Sequence, residues 1–268
     1  MDDDPGVEHA AVLELLDRAD ATETLPRLGG MARANGVVVV SERHWAFAGV
    51  DGSLRAGSMP RTPEPLRRVP LVRGLARLAL SLSPLFRRRG VARRRERWLL
   101  SLAVIAPSAL VFLPHMLGLV AGVAITVGLV AWLLRGRTLF LHGAEHRAIA
   151  AVEARSLRDT WAGVVTPTRF SPRCGTNFAA LLLPTATLAQ RFWPLETAAF
   201  VTPLLVTVLS LAVTMELWQL VQTSSVRAAR VLLVPGLLLQ RVTTREPTLA
   251  ETRVALRAVA AVLSRDVG

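Results

Sequence analysis

WLLSLAVIAPSALVFLPHMLGLVAGVAITVGLVAWLL, running from Trp98 to Leu134, is the stretch on which the fold class turns. It is apolar along its length and is broken at Pro114-His115. A single helix of that length would extend about 55 Å at the helical rise, far beyond a hydrocarbon core of about 30 Å. The sequence therefore predicts two helices, Trp98–Leu113 and Met116–Leu134, joined by a tight turn. The first is slightly short, which tilt or local bilayer thinning absorbs. His115 then falls at the far turn, about a membrane thickness from the polar segment after Leu134.

The flanks set the orientation. Arg87, Arg88, Arg89, Arg93, Arg94, Arg95 and Arg97 form a dense basic block directly before Trp98, and Arg135 and Arg137 come after the stretch. By the positive-inside rule this end is cytoplasmic. Binding of nucleic acid is not indicated, because no nucleic-acid motif accompanies the charge. A second apolar pair, Phe178–Gln190 and Ala198–Val221, flanks Arg191-Phe192-Trp193-Pro194, and its first member contains Pro184. Four spans return the chain to the cytoplasm, in agreement with Arg227, Arg230, Arg241 and Arg245. Val231–Leu239 contains Pro235-Gly236 and is too short to span, so it reads as interfacial or re-entrant.

Composition supports a membrane class. The chain has 268 residues, 51% of them hydrophobic, and a net charge of +12 carried without a single lysine. Mean hydropathy is +0.40, high for a soluble protein. The start is acidic (Asp2, Asp3, Asp4, Glu8, Glu14, Asp17, Asp20, Glu23) and shows no basic n-region leading into an apolar h-region, so no cleavable signal peptide is expected. The one cysteine, Cys174, cannot form an intrachain disulfide and is expected reduced.

Residues 1–28 form an acidic lead, helical or disordered. Residues 29–70 hold a small β unit and a Pro/Arg-rich connector: Val37–Val40 and His44–Val50 are strand-like, and Asp51-Gly52 signals a hairpin turn. Trp45 and Phe47 alternate onto one face for packing. Residues 71–97 are basic and interfacial, with Leu71–Phe86 an amphipathic helix that places Arg73 and Arg77 together, either on the membrane surface or packed on the β unit. The hairpin 98–134 leads into a cytoplasmic motif segment, 135–176, a second hairpin, 177–222, and a cytoplasmic C-terminal segment, 223–268. There Thr248 and Glu251 form a capping box after Pro247, ahead of an apolar stripe of Leu249, Leu256, Val259 and Leu263.

The chemistry lies in the polar segments. His142-Gly143-Ala144-Glu145-His146 has the H-x-x-E-H spacing, which on a helix brings two imidazoles and a carboxylate to one face. In enzymes with this spacing the histidines bind zinc and the glutamate acts as general base on a metal-bound water. A third ligand comes from elsewhere, and Glu153 and Cys174 are the candidates. Arg173 beside Cys174 favours thiolate, although a buried structural cysteine is the commoner case. Arg241 and Arg245, within Gln240–Pro247, have the chemistry to hold phosphate or carboxylate, and a solvated connector explains the same residues. Glu216 in the last apolar run reads equally as a functional intramembrane acid or as a group snorkelling to the headgroups.

Taken together, His142–His146 with Glu153, Pro172-Arg173-Cys174-Gly175-Thr176, Pro235-Gly236, Gln240 and Thr243–Pro247 resemble the YqhQ-like family, with Gly29-Gly30, Gly36-Val37 and Arg73-Gly74 as weaker matches. The resemblance covers roughly residues 29–263. It implies a bacterial integral membrane protein of unknown function, described as a predicted metal-dependent enzyme. The chain departs from the family pattern at Asn35, Leu141, Ser171 and Arg253, where glutamate, tyrosine, histidine and an acidic residue are typical.

The sequence therefore predicts an all-α polytopic membrane protein, with about four transmembrane helices in two hairpins, an N-terminal β unit, a C-terminal amphipathic helix and both termini cytoplasmic. The expected function is a metal-dependent hydrolase at the cytoplasmic interface. Its metal, zinc, would be held by His142, Glu145 and His146 with Cys174 or Glu153, and Glu145 would be the catalytic base. Arg173 and Arg245 would hold an anionic or lipid-derived substrate. A non-catalytic membrane scaffold or regulator is the alternative, and a transporter, given so few polar groups in the spans, the third reading.

Overall fold

The computed structural model describes residues 5–86, 90–110, 113–193, 201–224 and 226–266. Asp2–Asp4, Arg87–Arg89 of the basic block, Pro194 of the expected turn and the first residues of the expected fourth span lie outside that set. The chain forms two compact units built from discontinuous segments: Met1–Arg61 with Arg135–Cys174 and Leu239–Gly268, and Thr62–Leu134 with Gly175–Leu238.

The first unit is a sheet covered by helices. Helix α1 (Pro5–Ala21) leads into an antiparallel meander, β1 (Gly29–Arg33), β2 (Gly36–Val40), β3 (His44–Gly49) and β4 (Leu54–Ser58), in that spatial order. The valine run became β2 because β-branched side chains suit a buried pleat, and Val37, Val38 and Val39 are all fully buried. Asp51-Gly52 does form the β3–β4 turn, with Gly52 at φ +84° and Gly49 N–H donating to the Ser53 carbonyl at 2.7 Å. Pairing sets Val37 opposite Ala48 and Val39 opposite Ala46, so small side chains line the face that receives the helices.

Helix α7 (Thr138–Ala154) packs on β1 and β2, and α12 (Leu249–Asp266) packs on α7, β2 and β3. Their shared core includes Leu141, Ala144, Ala148, Leu256, Val259 and Leu263. Leu249 of the predicted stripe is instead 39% exposed. The capping box is present: Thr248 N–H donates to the Glu251 carboxylate at 2.9 Å, and Glu251 N–H donates to Thr248 Oγ1 at 3.3 Å. His44 Nδ1 lies 2.7 Å from Asp266 Oδ1 and ties β3 to the end of α12. Short α8 (Leu157–Ala162) packs against α1, α7 and α12.

The second unit is helical: α2 (Glu64–Arg68), α3 (Val72–Ser81), α4 (Ser83–Phe86), α5 (Arg94–Ala109), α6 (His115–Leu133), α9 (Gly175–Arg191) and α10 (Val201–Thr223). A 3-10 helix, Arg227–Leu233, then runs directly into α11 (Val234–Thr243), where the sequence predicts an interfacial or re-entrant piece. Helix α9 packs along α10, and α3 packs against α10 through Arg73, whose Nη2 lies 2.6 Å from Glu216 Oε2. The same carboxylate accepts the Leu71 N–H at 3.2 Å, beside the tight turn in which Leu71 takes φ +67° and the Val72 N–H donates to the Pro70 carbonyl at 2.8 Å. Glu216 is therefore a structural ion-pair partner, and Arg77 similarly bonds Gln219.

These findings correct the all-α, four-span expectation. The fold contains a four-stranded sheet. Among the described residues only Val201–Thr223 is a helix long and apolar enough to cross a membrane. The apolar run within α6, Met116–Trp132, falls short of that length. Helix α5 takes the charged Arg94–Arg97 into its first turn, and α9 has 17 residues with Pro184 inside, about 26 Å against the roughly 30 Å required. Hydropathy located apolar helices; it did not fix their length or their number of crossings.

Candidate metal centre

Helical periodicity in α7 brings His142 and His146 to one side, and their rings meet edge to face with centroids 4.5 Å apart. Each imidazole is oriented by a backbone carbonyl. His142 Nδ1 donates to the Thr243 carbonyl at 2.8 Å, and His146 Nδ1 donates to the Arg169 carbonyl at 2.7 Å. A carbonyl only accepts, so both Nδ1 atoms carry the proton and both Nε2 atoms present a lone pair. This is the orientation that metal-binding histidines take from their outer partners.

The third group arrives with the loop that precedes α9. Cys174 is buried, and its Sγ lies 3.2 Å from His142 Nε2. The candidate ligand atoms of His142, His146 and Cys174 all fall within 4.8 Å of one another, so the group could hold a metal ion. One observation of the structure itself tests the fit. His146 Nε2 is buried and has no hydrogen-bond partner among the described residues, an arrangement that costs about 1–3 kcal/mol unless something takes up the lone pair. The electrostatics agree with ligation, which requires neutral imidazoles. Burial lowers His142, and burial together with the neighbouring His142 pushes His146 down to about 3.

The other candidates are placed elsewhere. Glu145 is buried, but its side chain lies against β1: a Cβ added to Gly30 would sit 2.7 Å from Glu145 Cγ and 2.8 Å from Oε1. It makes no hydrogen bond among the described residues and stands outside the His/His/Cys group. Burial pushes its carboxyl up to about 8, so at neutral pH it carries a proton and is an acid rather than a ready base. Glu153 pairs with Arg173, Oε1 to Nη1 at 2.6 Å, and is half exposed. Arg245 has an exposed side chain and acts through its backbone, whose N–H donates to the Leu139 carbonyl at 2.9 Å. Gly143 permits that approach, because a Cβ there would meet the Arg245 carbonyl oxygen at 2.2 Å.

A polar network that sequence reading did not assign holds the centre together. Fully buried Gln240 makes two bonds with Ser171: its Oε1 accepts the Ser171 N–H at 2.8 Å and its Nε2 donates to the Ser171 carbonyl at 2.7 Å. Arg169 donates to the Thr244 carbonyl at 2.7 Å and to Oγ1 at 2.9 Å. Arg147 bonds Glu246 and, at 3.0 Å, the Pro167 carbonyl. These contacts clamp the loop carrying Arg169 and Cys174 to the end of α11, and so fix both carbonyls that orient the histidines. The only signal in the sequence was the density of hydrogen-bonding groups over Gln240–Pro247.

The positions that depart from the YqhQ-like pattern have structural uses. Asn35 lies in the exposed β1–β2 turn, where its Oδ1 accepts from Arg33 at 3.4 Å. Ser171 provides the backbone groups for Gln240, and Arg253 donates to the Trp161 carbonyl at 3.0 Å.

Fold and centre together define a class: a sheet-and-helix unit with a largely buried His/His/Cys group able to hold a metal ion, in a chain with, among the described residues, one helix long and apolar enough to cross a membrane. The chain belongs to the DUF1385 family, proteins of unknown function, whose sequence profile matches residues 108–265 and so includes every residue of the centre. No curated protein and no solved structure matches it.

Proposed function

We propose that this protein is a membrane-anchored, metal-dependent enzyme of the hydrolase type, with His142 Nε2, His146 Nε2 and Cys174 Sγ as metal ligands. The observation that carries this reading is the buried, unpartnered His146 Nε2 facing a second imidazole and a thiol. Two nitrogens and one sulfur suit zinc, and three protein ligands are the number found where zinc keeps a position for water or substrate. The metal would supply Lewis acidity and hydroxide at neutral pH. The chain's own residues do the rest. Thr243 and Arg169 hold the imidazoles in the binding tautomer, Glu145 stores a proton beside β1, and Arg173 attracts an anionic substrate. In the same reading Val201–Thr223 crosses the bilayer and the arginine-rich segment before α5 lies on its cytoplasmic side.

A structural metal in a non-catalytic scaffold is the second reading, favoured by the seating of Glu145 against Gly30 rather than in the ligand group. Metal analysis of the purified chain tests the first claim. About one equivalent is expected in the wild type, with loss in the His142→Ala/His146→Ala double variant and in Cys174→Ala, the folding of each variant being checked by circular dichroism. Equal metal in all three would refute it. Cobalt substitution separates the two readings: a position kept open for water or substrate, as an enzyme needs, changes the visible spectrum when a small anion is added, and a closed structural site does not respond.

A further inference from the structure

A second feature of the first unit lies farther along α7. A cavity of about 190 Å³ is lined by Arg27, Arg155 and Arg173, by Glu153, and by apolar Leu25 and Ile149 among others. Three guanidinium groups and one carboxylate give this concavity a net charge of +2. Such a concentration of like charge in one pocket is unfavourable by itself and becomes favourable when an anion shares it.

The hydrogen-bonding capacity around the cavity is only partly used. Arg155 closes α7 in a left-handed conformation, φ +55°, and spends two donors on the Ala19 and Glu23 carbonyls, at 3.2 and 2.8 Å. That fixes the segment leading to Arg27. The Arg173 guanidinium has one polar contact among the described residues, through Nη1 to Glu153. Arg27 makes no hydrogen bond or ion pair among the described residues. Each guanidinium has five N–H groups in a planar fork, so most of them face the cavity or solvent unmatched.

We propose that this cavity binds a phosphate group, as the charged end of the substrate handled at the neighbouring centre. A phosphate near its dianionic form matches the +2 charge, and its tetrahedral oxygens accept from several guanidinium forks at once, where a carboxylate offers one edge. The position fits: Ile149 and Glu153 stand one and two turns along α7 from His146, and Arg173 directly precedes Cys174. The apolar lining takes a short alkyl or glyceryl portion. Glu153 competes for Arg173 in the empty cavity and is displaced on binding. The proposal rests on the hydrolase reading only for the chemical step after binding; the pocket itself needs no metal.

The full chain in detergent, stripped with chelator, is titrated with inorganic phosphate and with glycerol 3-phosphate. Saturable binding is expected. Arg27→Gln, a change at an exposed side chain, weakens it about tenfold or more, the loss of a charge-assisted hydrogen bond. Glu153→Gln tightens it several-fold by freeing Arg173. Flotation on phosphatidylcholine vesicles with and without phosphatidic acid identifies the source. Capture only by the acidic vesicles, lost in Arg27→Gln, assigns a lipid headgroup, and binding of the soluble monoester without such capture assigns a free phosphomonoester. No saturable binding, or equal affinity in wild type and Arg27→Gln, overturns the proposal. Metal content is measured on the same samples before stripping, so metal without phosphate binding defeats this inference alone, and phosphate binding without metal defeats the metal centre alone.

Discussion

Gly143→Ala is the sharpest test of how the centre is built. The added methyl would sit 2.2 Å from the Arg245 carbonyl oxygen and 3.2 Å from Pro247 Cδ. The first partner is backbone, so no side-chain rotation relieves the clash. The Thr243–Pro247 segment has to withdraw by about 1 Å to reach ordinary van der Waals contact. A retreat of that size takes the Thr243 carbonyl, now 2.8 Å from His142 Nδ1, outside hydrogen-bonding range. Overpacking costs about 1–3 kcal/mol and the lost bond about 1 kcal/mol. The sum of about 2–4 kcal/mol lowers the melting temperature by roughly 4–16 °C for a chain of this size. Thermal melting of the full chain with chelator present reads this directly. Gly128→Ala, where nothing lies within 4 Å of the new methyl, is the control. With metal restored, chelator competition should show affinity reduced about 10–100-fold, the usual result of losing a partner that orients a ligand. A melting temperature equal to that of the wild type would refute the claim that Gly143 sets the approach of this segment. An altered melt with unchanged metal affinity would refute the role given to the Thr243 carbonyl.

Gln240→Ala, in the same unit, removes both bonds to Ser171 and leaves a buried void, so a loss of about 2–4 kcal/mol is expected, with protease sensitivity increasing between residues 163 and 174; urea denaturation and limited proteolysis measure both. Glu145, pushed up to about 8 from an ordinary 4.5, keeps a proton that the unfolded chain releases. Its stabilising share is therefore complete below about 4.5 and is lost as pH rises through 8, so Glu145→Gln should gain about 3 kcal/mol relative to wild type between pH 5 and pH 8. Parallel denaturation curves for the two proteins across that range would contradict it. His146 acts on the acid side, where the unfolded chain takes up a proton below 6.5 that the folded ring accepts only near 3.

The readable parts of this protein were those whose cause is local. Val37–Val40 announced β2 because branched side chains favour the pleat, and Thr248 with Glu251 announced the start of α12 because both partners of the cap lie within one turn. The spacing of His142 and His146 placed two imidazoles on one side of α7 by helical geometry alone. Strands β1 and β4 were not legible: Gly29–Arg33 and Leu54–Ser58 carry small and charged residues and become strands only by pairing with β2 and β3.

What the chain's composition determined by itself was where apolar helices and polar segments fall, and which residues carry metal-binding chemistry. Tertiary structure decided the remainder. It joined residues 1–61, 135–174 and 239–268 into one unit, seated Glu145 against Gly30, paired Glu153 with Arg173, and set Cys174 against His142. It also supplied the Thr243 and Arg169 carbonyls that choose the histidine tautomers. The physical reason is that every residue has a carbonyl, so nothing in residue type marks the two that matter. Only the packing of distant segments, permitted at Gly143 and clamped by Gln240, brings them to the imidazoles.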